Sequence, residues 1–204
     1  MRVPAKLYLA TSNPGKLGEY RVLAVAASPS LRVELALLPG FNELPAFEES
    51  APTFAENAAG KALHYSRLQD GMVFADDSGL VVPALGGAPG VHSARYAGSR
   101  ATNSQRIEKL LREMQGKMGN ERAAYFVCTI ALAEKGRAIA AVSDRVDGEI
   151  LESPRGAGGF GYDPVFCFPA LKKTFAELSA EEKNQFSHRG KAFRRLLGAL
   201  SSML

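Results

Sequence analysis

Apolar and polar positions in the first part of the chain predict strands and helices in alternation. Residues 6–12 have the pattern of a strand, and Pro14, which suits the first turn of a helix, opens a helix to about residue 27. A second strand is predicted over residues 31–38, followed by a proline-rich acidic loop. The chain therefore opens as strand, tight turn, helix and strand.

The middle of the chain contains one more helix and a stretch rich in turn residues. Thr53 and Glu56 have the spacing of a capping box, which predicts a helix from there to about residue 68. Residues 72–75 are predicted to form a short buried strand. Several glycines and prolines in residues 76–98 favour short strands and turns over a long helix.

The second half repeats the capping signals. A capping-box spacing at Thr102 precedes an amphipathic pattern and predicts a helix. Residues 125–133 and 138–146, rich in β-branched and aromatic residues, predict a long hairpin around a turn at Lys135-Gly136. Another capping-box spacing at Ser179 predicts one final helix toward the C-terminus.

Strands interleaved with helices, together with one antiparallel hairpin, predict an α/β fold in which helices pack on a mixed sheet. No repeat, low-complexity tract or linker divides the sequence, so we predict a single domain over residues 1–204. A chain of 204 residues buries about 70% of the surface of its unfolded form and needs no disulfide or structural metal.

Composition and charge limit the classes of function. The longest apolar run, residues 123–133, falls short of the ~18 residues of a membrane helix, and no secretory signal opens the chain, so we expect a cytoplasmic protein. Cys128 and Cys167 lie in apolar runs without zinc spacing, which indicates buried thiols in a reducing compartment. The net charge of +4 suits an anionic small molecule as readily as nucleic acid.

Two familiar nucleotide-binding motifs are excluded. Gly156, Gly158 and Gly161 satisfy the spacing of a dinucleotide-binding loop, but a turn and a strand pattern follow where that fold requires a helix. Gly15-Lys16 lacks the upstream glycine of a Walker A loop. Any phosphate site in this chain must therefore be built differently.

Residues 11–16 form the first polar cluster with candidate chemistry. The segment Thr11-Ser12-Asn13-Pro14-Gly15-Lys16 brings hydroxyls, free N–H groups and a lysine to the start of a helix. Such a helix start is an anion site, because its N–H groups and its dipole both favour negative charge. An ordinary N-cap beside a surface lysine remains the alternative.

Two adjacent carboxylates follow the apolar strand. Asp76 and Asp77 repel each other at a poorly solvated strand end, so a cation is expected beside them. Mg²⁺ is the simplest candidate, since it takes one or two protein carboxylates together with substrate phosphates. Glu48 or Glu49 in the acidic loop could add a ligand. An Asx-type turn is the alternative.

Asn57 and Lys61 lie four residues apart and therefore share one face of their helix, where Lys61 either binds an anion or is simply solvated. Glycines in residues 158–163 allow close approach of a flat ligand, and Phe160 or Tyr162 offers a face on which a base can stack.

In the final helix, His188 and Arg189 follow Lys183 by about a turn and a half and are either ligands or part of a solvated basic face. His64 and His92 are interpreted as structural or surface residues.

Seven short motifs occur in a fixed order along the chain, and together they resemble the inosine triphosphate pyrophosphatase family. They are ATSNPGK at 10–16, TFAENA at 53–58, ADDSGL at 75–80, GGAPG at 86–90, SARYAG at 93–98, GGFGYDP at 158–164 and SHRG at 187–190. Each is weak alone, but their order over nearly the whole chain makes the resemblance specific.

The resemblance implies a Mg²⁺-dependent homodimer that hydrolyses dITP, ITP and XTP to the monophosphate and pyrophosphate and thereby cleanses the nucleotide pool. The short apolar runs and the lack of interleaved aromatics lead us to expect neither a membrane nor a nucleic-acid partner. The implied fold is an elongated mixed sheet flanked by helices, with two lobes around a central nucleotide-binding cleft.

The resemblance also implies roles for individual residues. Asp77 is implied as general base, and Glu48 and Asp77 as metal ligands. The implied substrate contacts are Thr11, Ser12, Asn13, Pro14, Gly15, Lys16, Lys61, Ser78, Phe160, Gly161, Tyr162, Asp163, Lys183, His188 and Arg189.

Two rival functions remain open on the sequence alone. One is a related Maf-like pyrophosphatase that acts on pyrimidine or modified nucleoside triphosphates. The other is a nucleic-acid-binding module that uses Lys191, Arg194 and Arg195 of the basic C-terminal helix, although no interleaved aromatics support it.

Overall fold

The structure of the protein is a computed structural model that describes residues 5–26 and 33–203. Its regular elements are strands and α-helices joined by loops and short 3-10 helices. In chain order the strands and α-helices are β1 (Ala5–Leu9), α1 (Pro14–Val25), β2 (Val33–Leu37), α2 (Phe54–Tyr65), β3 (Met72–Val81), α3 (Asn103–Glu113), β4 (Ala123–Glu134), β5 (Arg137–Ile150), β6 (Phe166–Phe168), β7 (Lys173–Thr174), α4 (Ala180–Phe186) and α5 (His188–Met203).

The strands form one seven-stranded sheet in the order β2-β1-β3-β4-β5-β6-β7. Strand β1 pairs in parallel with both β2 and β3, whereas β6 pairs antiparallel with β5 and β7. The predicted α/β fold with a mixed sheet and flanking helices is therefore confirmed.

The chain divides into two compact units, of which the first comprises Met1–Asp77, Cys128–Asp144 and Arg189–Leu204. In its core the ring of Tyr20 meets those of Phe74 and Phe193 edge-on, at centroid distances of 5.2 and 5.3 Å. A second apolar group of the same unit packs around Tyr65 of α2. Helices α1 and α2 each bury one face in this unit. This packing fixes the N-terminal part of each helix, where the polar residues 11–16 and 57–61 lie.

The second unit comprises Ser78–Val127 and Arg145–His188. Its core is built around the rings of Phe126, Phe166 and Phe175, with centroids 4.6 to 5.9 Å apart. Leu110 of α3 is fully buried against this group.

Several predicted elements have different bounds in the structure. Strand β1 ends at Leu9 and not near residue 12, and α2 ends at Tyr65 and not near residue 68. Strand β3 runs on to Val81 instead of ending near residue 75, so Asp76 and Asp77 lie within the strand and not in a following loop. The predicted final helix is two helices, because Ser187 has an extended backbone (φ −66°, ψ 155°) between α4 and α5.

The capping box predicted at Thr53 forms in part: the Thr53 side chain accepts the N–H of Glu56, but the Glu56 carboxylate accepts from the Thr53 hydroxyl. The following predictions are confirmed within the described residues. The hairpin turns at Lys135-Gly136, both with positive φ (49° and 74°), and the capping boxes at Thr102 and Ser179 are complete. The predicted ends at residues 27 and 31–32 lie outside the described part. In residues 5–26 and 33–203, no helix has both the length and the apolarity that a membrane crossing requires.

Candidate functional site

The loop before α1 is held by its own side chains. Thr11 Oγ1 accepts the N–H of Asn13 at 3.1 Å, and Asn13 Oδ1 accepts the N–H groups of Gly15 and Lys16 at 2.9 and 3.2 Å. These two N–H groups were expected to be free for an anion, but Asn13 caps them, as asparagine does at this position. What the loop presents is the Lys16 side chain, with Ser12 and Pro14 exposed beside it.

Lys16 is a half-buried ion-pair partner and not a solvated surface lysine. Its Nζ lies 3.0 Å from Asp76 Oδ2, and only 13% of its side chain is exposed. Arg189 Nε approaches the same oxygen at 3.5 Å, while the guanidinium also pairs with Glu19 of α1. The two cations that Asp76 requires are therefore protein side chains.

Asp76 and Asp77 experience opposite surroundings because neighbouring side chains on a strand point to opposite faces. Asp76 is fully buried. Burial alone would raise the pKa of its carboxyl group, but the positive charges of Lys16 and Arg189 outweigh burial and lower the pKa to about 2. Asp76 is thus held as a carboxylate at every physiological pH.

The positive charges around Asp77 do not outweigh the effect of its burial. Burial raises the pKa of its carboxyl group to about 6, and the negative charges of Glu49 and Asp76 add to the effect. Lys16 and a hydrogen bond from Asn57 Nδ2, 3.0 Å from Asp77 Oδ2, act in the opposite direction. A buried carboxylate with incomplete compensation favours a cation or a proton.

The acidic loop supplies one further carboxylate to this environment. Glu49 Oε1 lies 2.6 Å from Lys61 Nζ, and its charge acts on Asp77. Burial lowers the pKa of Lys61, but the pairing with Glu49 outweighs it and raises the pKa. Glu48, the metal ligand that the resemblance implies, has an exposed side chain. Within the described ranges no three His, Cys, Asp or Glu side chains form a metal cluster.

In the second unit, Asp163 joins two of the predicted site residues. Its Oδ2 lies 2.5 Å from Lys183 Nζ and accepts the N–H of Phe160 at 2.7 Å. The Lys183 ammonium also lies over the ring of Phe160, 4.8 Å from its centroid. Lys183 is therefore not part of a solvated basic face, since it is 5% exposed and fully engaged with Asp163 and Phe160.

The remaining predicted residues of the second unit differ in exposure. Tyr162 is buried and donates its hydroxyl to the carbonyl of Ser93 at 2.9 Å, so it is a core residue with a satisfied polar end. His188 is buried and stacks on Phe126, with centroids 4.8 Å apart. Gly161 has a φ of +64°, and Ser78 is half-buried.

The structure confirms that His64 and His92 are structural or surface residues and that both cysteines are buried thiols. The ring nitrogen Nε2 of His64 lies 2.8 Å from the carbonyl oxygen of Pro45, His92 is exposed, and both cysteines are buried and free. Burial raises the pKa of the Cys128 thiol to about 12, so it stays protonated near Asp76.

Sequence patterns missed Glu19 and left Asn57 without a role. Glu19 lies three residues after Lys16 on one face of α1, and this i,i+3 spacing is the only local signal for it. Its partner Arg189 is 170 positions away in the chain.

Comparison with known proteins gives consistent matches over almost the whole length. Residues 7–199 match the Ham1 family. The chain is 50% identical over 191 residues to the dITP/XTP pyrophosphatase of Geobacillus kaustophilus, covering 94% of this chain and 92% of that protein. It is 49% identical to the dITP/XTP pyrophosphatase of Gloeobacter violaceus, covering 96% and 94%.

A solved structure agrees with these sequence matches. The HAM1 protein of Coxiella burnetii is 38% identical, with a TM-score of 0.84, and the match covers 97% of this chain and 99% of that one.

Proposed function

The chain belongs to the Ham1 family, and from this premise we propose that it hydrolyses dITP, ITP and XTP to the nucleoside monophosphate and pyrophosphate. The observation that carries the proposal is the environment of Asp77. Its carboxyl group is buried and has a raised pKa, and the positive charge of Lys16 acts on it. A proton acceptor beside a cation suits phosphoryl transfer, because catalysis of that reaction depends mainly on positioning and on stabilisation of negative charge.

We propose Asp77 as the general base. A pKa of about 6 leaves its carboxylate ionised at neutral pH but basic enough to accept a proton from water. The water oxygen attacks the α-phosphorus, the bond to the bridging oxygen breaks, and that oxygen leaves with its electron pair as part of pyrophosphate. The ammonium groups of Lys16 and Lys61 stabilise the negative charge on the triphosphate.

Mg²⁺ fits the donor set of the first unit. Asp77 and the acidic loop, with Glu48 and Glu49, offer carboxylate oxygens, and Mg²⁺ commonly takes one or two of these. The raised pKa of Asp77 supports this fit, because its negative charge is not fully compensated by the protein. When bound, Mg²⁺ supplies positive charge to the phosphate oxygens and to the leaving pyrophosphate.

We propose that Phe160 contacts the nucleotide base. One face of Phe160 is covered by the Lys183 ammonium, and the half-buried ring can stack on a purine. A buried N–H aimed at the 6-oxo group would discriminate against adenine, because an unmatched buried polar group costs about 1–3 kcal/mol, which is tenfold or more.

The other residues that the resemblance implies remain predictions as substrate contacts. These are Thr11, Ser12, Asn13, Pro14, Gly15, Ser78, Gly161, Tyr162, Asp163, His188 and Arg189. We also propose a homodimer that acts in the cytoplasm, without a nucleic-acid or membrane partner. Light scattering coupled to size exclusion should give twice the 21.8 kDa mass of one chain.

The test is a substrate panel with and without Mg²⁺. Pyrophosphate release is measured with dITP, XTP, dATP, dGTP, dUTP and dTTP at equal concentrations, and each assay is repeated in EDTA. We expect release from dITP and XTP at least tenfold faster than from the other four, and none in EDTA. Preference for dUTP or dTTP would favour the Maf-like alternative. Salt-sensitive DNA binding that persists in EDTA, without hydrolysis, would favour the nucleic-acid alternative.

A further inference from the structure

The acidic loop, residues 47–51, is anchored at its first end on α2. Phe47 donates its N–H to the hydroxyl of Tyr65 at 3.3 Å, and its ring lies 5.8 Å from that of His64. The Phe47 ring also covers Gly60, where an added Cβ would come within 2.5 Å of the ring. A glycine at this helical position therefore admits the ring.

The other end of the acidic loop is anchored by Asn57. Asn57 Oδ1 accepts the N–H of Ala51 at 3.0 Å, and Asn57 Nδ2 donates to the carbonyl of Ala51 at 3.3 Å. The Asn57 amide thus pairs with Ala51 as a backbone amide would, so both the N–H and the carbonyl of Ala51 are hydrogen-bonded to one side chain. Between the two anchors lie Glu48, Glu49 and Ser50.

Asn57 also contacts the carboxyl group on β3. The second N–H of Asn57 Nδ2 donates to Asp77 Oδ2 at 3.0 Å. The side chain is 1% exposed, and both of its N–H groups and its carbonyl oxygen are used. One buried amide thus touches the acidic loop on one side and Asp77 on the other.

The anchors share one face of α2. Positions 57, 60, 61, 64 and 65 recur at the helical period, and each contacts the acidic loop. The acidic loop therefore packs on one face of α2, and Asn57 is the residue of this face that also contacts Asp77.

We propose that Asn57 is a positioning residue that fixes the acidic loop and the Asp77 carboxylate relative to each other. This inference rests on the proposed function, because it assigns Asn57 to the placement of the general base and of the acidic side chains beside it. Asn57 touches neither water nor substrate in this role. Its contribution is the placement of Asp77 Oδ2, and misplacement of a reacting group by about 1 Å can cost about 10²-fold in rate.

Two substitutions differ in whether the Ala51 N–H keeps an acceptor at position 57. Asn57→Ala removes all three hydrogen bonds. Asn57→Asp has the same shape and keeps an oxygen for the Ala51 N–H, but it has no N–H group, so it loses the hydrogen bonds to the Ala51 carbonyl and to Asp77 Oδ2. Thr53→Ala is the matched control, because it removes the cap of the same helix, at a cost of about 1 kcal/mol, without touching Ala51 or Asp77.

Two readouts are measured on these variants. Hydrogen exchange of the Ala51 N–H, followed by NMR without metal or substrate, reports the loop anchor. Steady-state kcat and KM for dITP report the placement of Asp77. We expect faster Ala51 exchange in Asn57→Ala but not in Asn57→Asp. Both variants should lower kcat by about 10²-fold with KM for dITP changed less than about threefold, while Thr53→Ala stays within about twofold of the wild type.

Three results would overturn the proposal. The first is an Asn57→Asp variant with kcat within twofold of an active wild type, and the second is a Thr53→Ala variant that loses as much activity as Asn57→Asp. The third is an Ala51 exchange rate that Asn57→Ala leaves unchanged. A wild type inactive on both dITP and XTP would instead overturn the proposed function and this role together. Should Asn57→Ala fail to fold, Asn57→Asp decides.

Discussion

Asp76 and Asp77 are chain neighbours of the same residue type, yet the fold gives them opposite electrostatic roles. Asp76 is surrounded by Lys16 and Arg189 and has a lowered pKa. Asp77 has a raised pKa, because burial and nearby carboxylates outweigh the single lysine and the amide that oppose them. Pairs of titratable groups whose pKa values are pushed apart are typical of acid–base sites.

Asp77→Asn tests the assignment of the base. The variant keeps the shape of the side chain but cannot accept a proton, so kcat for dITP should fall by about 10³-fold. Pyrophosphate release gives kcat, and circular dichroism serves as the control for folding. Activity within tenfold of the wild type would remove Asp77 from the proposed mechanism.

The same substitution should stabilise the metal-free protein at neutral pH. The folded-state pKa of Asp77 is about 6 and its ordinary value is 3.8, so its favourable contribution is complete below pH 3.8 and is lost as pH rises through 6. Relative to the wild type, Asp77→Asn should therefore gain up to about 3 kcal/mol of unfolding free energy between pH 4 and pH 7. Urea denaturation in EDTA measures it, and a difference independent of pH would contradict the shift.

Asp76→Asn should have the opposite sign. Its folded-state pKa of about 2 lies below the ordinary 3.8, so the stabilisation is present above pH 3.8 and disappears as pH falls through 2. At pH 7 the variant should lose about 3 kcal/mol, since Lys16 and Arg189 are left without their shared carboxylate. Urea denaturation at pH 7 and pH 3 checks this, and a larger loss at pH 3 would be inconsistent with the ion pairs.

At the scale of elements, the positions of helices and strands followed from the sequence better than their ends. The apolar pattern stops at residue 75, so the strand was predicted to stop there, whereas β3 continues to Val81 between β1 and β4. The ion pairs of Asp76 make a charged residue tolerable inside a buried strand, and hydropathy contains no information about such distant partners.

The break between α4 and α5 had a local signal that the helical pattern concealed. Ser187 is buried with an extended backbone before His188, and serine is a favoured residue immediately before a helix. The capping box at Ser179 predicts where a helix begins but not where it is interrupted, so one uninterrupted helix was predicted.

Gly60→Ala tests the packing of the acidic loop on α2 through the Phe47 ring. Alanine in a helix interior normally stabilises by about 1 kcal/mol relative to glycine. Here the new methyl group would meet the Phe47 ring at 2.5 Å, so the ring and the loop behind it must move. We expect a several-fold lower kcat with little or no gain in stability. Gly18→Ala in α1, where an added Cβ meets nothing within 4 Å, is the control. A more stable Gly60→Ala variant with unchanged activity would contradict the account.

For the whole molecule, fold class and family could be predicted from the sequence, but the network of contacts within the site could not. The motif order predicted the family that the comparisons confirm. The ion pair between Glu19 and Arg189 and the hydrogen bond between Asn57 and Ala51 depend on tertiary packing. The residue types alone do not indicate these partners. The single domain over residues 1–204 and the homodimer remain predictions, while the structure itself divides the chain into two compact units.

The most direct measurement is hydrolysis of dITP by the wild-type enzyme in water enriched in ¹⁸O, with the products separated and analysed by mass spectrometry. If water attacks the α-phosphorus, ¹⁸O appears in the phosphate of dIMP and the pyrophosphate contains none. Label in pyrophosphate, or release of dIDP and inorganic phosphate, would contradict the proposed reaction.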